Sequence, residues 1–86
     1  MPRIAEFYGI AIYMYFSDHA VPHFHAIYGR LDVEVEIASG AILRGRLPSR
    51  AQRLVREWSR RYRHELEENW ALARNHQPLR PIPPLE

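Results

Sequence analysis

The sequence contains no cysteine and no lysine. The first absence excludes disulfide staples and thiolate metal sites, so any metal ion has to be held by His, Asp or Glu. The second leaves arginine to supply all twelve basic residues. Arginine makes bidentate contacts to phosphate and carboxylate, which fits nucleic-acid contact; a GC-rich codon usage gives the same composition. The net charge of +2 is too small to argue DNA binding from the total. Long apolar runs are missing too: Ile10 to Phe16 falls far short of the roughly 20 residues a membrane span requires. The opening MPRIAEF lacks the charged region, apolar core and cleavage site of an export signal. The expectation is a cytoplasmic protein with no membrane contact. Eighty-six residues make one small domain, marginal enough that self-association or a partner is expected to support it.

What is present reads as strands first. Arg3 to Tyr8 and Ile10 to Phe16 are rich in β-branched and aromatic residues and are punctuated by Gly9, which predicts a hairpin or bend. Ile10, Ile12, Met14 and Phe16 share one face of the second strand, and Ala11, Tyr13 and Tyr15 the other. Both faces are apolar or aromatic, which predicts a central strand or one covered on both sides. Ser17 to Pro22 breaks the run. His23 to Tyr28 and Leu31 to Ala38 follow as a hairpin on a two-residue Gly29-Arg30 turn. That turn sets Tyr28 opposite Leu31, Ala26 opposite Val33 and Phe24 opposite Val35. It also sets Ile27 opposite Asp32, His25 opposite Glu34 and His23 opposite Glu36. Apolar pairs fall on one face and His/Glu pairs on the other, and a one-residue slip would mix the two sets. Ser39-Gly40 marks another turn, and Ala41 to Arg46 a short edge strand.

A helix begins at Pro48, with Ser49 and Gln52 placed as a capping box. Leu54, Val55, Trp58, Tyr62, Leu66, Trp70 and Ala73 recur at three- and four-residue spacing, which predicts one helix from about Ser49 to Ala73. At 1.5 Å per residue it would be roughly 37 Å long, more than a sheet of short strands can cover. Its distal half is therefore expected to meet another chain, unless the tail folds back on it. The tail, 77–86, holds four prolines and should run extended near polyproline II, with Leu79, Ile82 and Leu85 on its apolar edge. The reading is an α+β domain over 1–76: a four- or five-stranded antiparallel sheet, one long C-terminal helix, then the extended Pro-rich tail.

The candidate chemistry lies in Ser17 to Tyr28, SDHAVPHFHAIY, which holds three of the five histidines. His23 and His25 are two apart on a strand, so their imidazoles share a face and could reach one ion. His19 or Asp18 from the preceding loop could add a third ligand, and Glu34 or Glu36 a fourth. Such a set suits a divalent ion such as Zn or Mn. Without a metal, His19, His23 and His25 beside carboxylates could transfer protons, with arginine stabilising charge on a phosphodiester. The plainer reading is a polar sheet face on which His23 pairs with Glu36 and His25 with Glu34. A second feature is the crowding of arginine between Arg44 and Arg63, with Glu57 the one acid among eight arginines. Arg53, Arg56, Arg60 and Arg63 share a helix face and could follow a phosphate backbone of RNA or DNA. A solvated face, or a face paired with an acidic partner, explains the same pattern.

Several stretches together carry a resemblance that covers essentially the whole chain: MPRI…FYGIAI, D-H-x-x-P-H-F-H-A-x-Y from Asp18 to Tyr28, H-E-L-x-x-N-W from His64 to Trp70, and the ending PLRPIPPLE. They resemble a small bacterial family catalogued as domain of unknown function 4160. The chain departs from the family pattern at Ala20 and Val21, where a polar residue and a second proline are usual. The family has no established activity. Its members are often encoded beside another small protein in toxin–antitoxin-like pairs. The resemblance therefore implies a small cognate protein partner encoded nearby and a nucleic-acid role, while the small size and the helix length lead to the expectation of a homo- or hetero-oligomer. The alternative function is a small metal-assisted or His-based phosphodiester hydrolase built on His19, His23 and His25.

Overall fold

The computed structural model describes residues 3–17 and 20–86. Five strands, β1 (Arg3–Phe7), β2 (Ile10–Tyr13), β3 (His23–Tyr28), β4 (Leu31–Glu36) and β5 (Ile42–Arg44), precede two helices, α1 (Ser49–Arg61) and α2 (Arg63–Arg74). The sheet is an antiparallel meander, β1-β2-β3-β4-β5, in which every strand pairs with its sequence neighbour. The turns explain this order. Tyr8 and Gly9 both take positive φ, 50° and 79°, as a type I′ turn demands. In the next hairpin Gly29 alone is positive, at 61°, which is the first central position of a type II′ turn. The β3–β4 register follows the expected pairs, His23 with Glu36, Phe24 with Val35, His25 with Glu34 and Ala26 with Val33.

Strand β2 lies between β1 and β3, but it ends at Tyr13 rather than Phe16, and one of its faces is only partly covered. Ile10, Ile12 and Met14 are fully buried, whereas Tyr13 is half-buried and Tyr15 exposed. Helix α1 covers the first of these faces. Trp58 of α1 sits there, with its ring 5.3 Å from that of Phe7 and 5.7 Å from that of Phe24. Ala51, Val55, Trp58, Leu66 and Trp70 join Ile10, Ile12, Met14, Phe24, Val33 and Val35 in one core.

The expected single helix is two. Tyr62, at φ −112° and ψ 28°, leaves helical geometry between α1 and α2. Hydrogen bonds still span the joint, from Tyr62 N–H to the Trp58 carbonyl and from Leu66 N–H to the Tyr62 carbonyl. The apolar stripe therefore runs on across the break. No glycine or proline marks the site, so the periodicity alone could not reveal it. The capping box does not form either: Pro48 is the N-cap and makes no side-chain cap bond. Ser49 is already the first helical residue, one position too late to cap.

The distal half of the stripe is covered within the chain. Trp70 is 8% exposed and lies against Phe16, with ring centroids 5.4 Å apart. Residues 77–86 have no helix or strand, and their Ile82 and Leu85 belong to the core cluster. Ile82 N–H donates to the Ile4 carbonyl, and Trp58 Nε1–H to the Pro83 carbonyl at 2.9 Å. The inference of a second chain from helix length therefore loses its basis, because no bare apolar half-helix remains to be covered.

Candidate metal centre on the open sheet face

Alternation along β3 turns Phe24 and Ala26 into the core and His23 and His25 to the other face. Both histidines are nonetheless buried, at 5% and 7% exposure. Tyr15 stacks flat on His25, with ring centroids 4.8 Å apart and planes at 13°. Trp70 lies 5.5 Å from His23, and the two imidazoles meet edge-on at 5.3 Å.

Each imidazole is oriented through Nδ1. His23 Nδ1 lies 2.8 Å from the Val21 carbonyl oxygen, which can only accept, so Nδ1 carries the proton. His25 Nδ1 lies 3.1 Å from Asp32 Oδ1, again an acceptor. In the neutral ring this leaves Nε2 of both residues as a bare lone pair. His25 Nε2 is buried and has no hydrogen-bond partner among the described residues. Glu34 stands directly opposite His25, half-buried and in no ion pair among the described residues. One ligating atom from each of His23, His25 and Glu34 lies within 4.8 Å of the other two. Two imidazole nitrogens and a carboxylate could converge on one divalent ion, with the Nδ1 hydrogen bonds fixing the tautomers as they do behind metal-bound histidines.

The simple cross-strand pairing is corrected by these contacts. His25 bonds Asp32 rather than Glu34, and His23 bonds a backbone carbonyl rather than Glu36. Glu36 instead accepts a hydrogen bond from Ser39 Oγ. Asp18 and His19, the other two proposed ligands, lie outside the described residues. Asp32 was not picked out by the sequence reading, which set it opposite Ile27. That register already made it the diagonal neighbour of His25, within reach of a ring nitrogen.

Arg53, Arg56 and Arg60 are exposed on α1, and Arg63 opens α2. None of the four forms an ion pair among the described residues. Because α1 packs on the Phe24 face, its arginines and the histidines lie on opposite sides of the sheet. They cannot jointly grip one phosphate there. His64 is an exposed surface residue, 3.5 Å from Glu68. No helix among the described residues is long and apolar enough to cross a membrane. No curated protein and no solved structure matches this sequence. The family model for a domain of unknown function (DUF4160) matches residues 9–71, and the chain belongs to that family.

Proposed function

We propose that this DUF4160 chain is a small metal-binding protein whose centre is His23, His25 and Glu34, holding Zn or Mn. The observation that supports this most is the buried Nε2 of His25, left without a partner beside a second oriented imidazole and a free carboxylate. A buried polar atom left unpaired costs about 1–3 kcal/mol, and a bound cation would remove that cost. Three protein ligands leave a position open on the ion, and an ion so held would supply an activated water for phosphodiester hydrolysis. Calorimetry with Zn and Mn tests the centre. The wild type should bind one ion, and His23→Ala/His25→Ala should bind none while keeping its circular dichroism at a lowered unfolding midpoint, because Phe24, Val33 and Val35 hold the core on the other face while Trp70 loses its contact with His23. No heat above buffer, together with no metal in the purified protein, would reject it.

A second reading rests on the exposed arginines. Arg53, Arg56, Arg60 and Arg63, unpaired among the described residues, would contact the phosphate backbone of RNA or DNA. Under it the chain acts as an interaction component of a toxin–antitoxin-like pair, with a cognate protein encoded nearby; that pairing rests on the family resemblance alone. Arg53→Glu/Arg56→Glu should remove binding and flatten its salt dependence in a filter assay. Binding that survives the reversal would exclude the arginine face.

A further inference from the structure

The residues after α2 are held as a bound peptide is held. Leu79 is half-buried, Ile82 and Leu85 are each 5% exposed, and the residues between them face solvent. Burial thus recurs every third residue, the period of polyproline II, and Pro78, Pro81, Pro83 and Pro84 favour that conformation. The rest of the domain reads the backbone of this stretch. Asn69, itself buried, donates through Nδ2 to the Arg80 carbonyl and accepts the Arg80 N–H at Oδ1, each at 2.9 Å. Ile82 N–H donates to the Ile4 carbonyl at 2.8 Å, and Trp58 Nε1–H to the Pro83 carbonyl at 2.9 Å. An indole N–H on a proline carbonyl, with an apolar seat for every third residue, is how polyproline segments are recognised between proteins.

The return from α2 is tight and strained at one residue. Gln77 N–H bonds the Leu72 carbonyl and His76 N–H the Ala73 carbonyl, the paired bonds of a Schellman motif. His76 occupies its left-handed position at φ 57°, which glycine fills without cost and histidine does not.

We infer that the groove formed by Ile4, Trp58 and Asn69 is a polyproline II recognition site that accepts residues 79–85 from a second copy of the chain when the His76 turn opens. Exchange keeps every contact just described. What differs between the closed chain and the exchanged pair is the His76 turn, and an extended hinge relieves it. Within one chain the tail is present at an effective concentration in the millimolar range, so exchange becomes competitive at roughly that protein concentration. The inference is independent of the metal centre, since it uses no residue of that centre.

Light scattering, with native mass spectrometry of mixed isotope-labelled and unlabelled full-length chains, tests this. His76→Pro, locked near φ −65°, cannot make the turn and should form mixed dimers where the wild type is monomeric. His76→Gly removes the strain and should move dimer formation about tenfold higher in concentration than wild type. Adding Asn69→Ala to His76→Pro, whose chain cannot close on its own tail, should weaken that dimer. A folded, monomeric His76→Pro protein would overturn the inference, as would a His76→Pro dimer indifferent to Asn69→Ala. Should His76→Pro fail to fold, the wild type decides: no mixed dimer up to about millimolar concentration, or His76→Gly exchanging as readily as wild type, overturns it equally.

Discussion

At the scale of single residues, Asp32 decides how His25 presents itself. It is 58% exposed at its side chain, so its hydrogen bond with a nearly buried imidazole adds little to stability. Its larger effect is to hold the proton on Nδ1 and leave Nε2 free to ligate. Asp32→Asn should therefore change the unfolding midpoint only slightly and weaken metal affinity about 10–100-fold, read by competition with a chromophoric chelator. Equal loss of stability and affinity would make Asp32 merely structural. Metal affinity should also fall on acidification, because a proton on Nε2 removes the lone pair that ligates; a flat profile would remove both histidines from the ligand set. The pairing of His25 with Glu34 was legible because strict alternation on either side of Gly29-Arg30 permits a single register. The bond to Asp32 was not, because a diagonal contact depends on side-chain rotamers that a register does not fix.

At the scale of elements, the strands were more legible than the helices. Strand ends lie beside Gly9, Pro22 and Gly29, residues whose backbone preferences are local. The break at Tyr62 is announced by no local signal, since neither glycine nor proline stands there. Gly45 was likewise unmarked by any pattern. It takes φ 91°, and a Cβ there would stand 2.7 Å from the Asp32 carbonyl oxygen and 2.9 Å from Val33 Cγ1. A backbone carbonyl cannot swing aside as the tip of a side chain can. Gly45→Ala should cost more than about 1 kcal/mol in chemical denaturation and disturb β4 at Asp32. A variant as stable as wild type would mean that β5 is free to lift from β4.

At the scale of the whole molecule, the sheet separates two surfaces. Arginines cover the outer side of α1 on one side, and a ring of His, Glu and Tyr occupies the other. The two proposed activities are therefore expected to be separable by mutation: histidine variants should keep any nucleic-acid binding, and arginine reversals should keep metal. The core that holds them together centres on Trp58, which is fully buried. Trp58→Ala should cost about 3–5 kcal/mol, against a total of about 5–15 for a small domain, and calorimetry should find little cooperative unfolding left. An unchanged transition would mean that α1 contributes little to the core. Trp58 also ties the order of synthesis to the order of assembly. Ile82 and Pro83 are added to the chain after every residue they bond, Ile4 and Trp58 included. A nascent chain can pair β1 with β2 and lay down both helices while the Trp58 indole still lacks its acceptor. A product released before residue 83 would carry that donor into a core with nothing to receive it, and quality-control proteases should remove it ahead of a chain that includes Pro83.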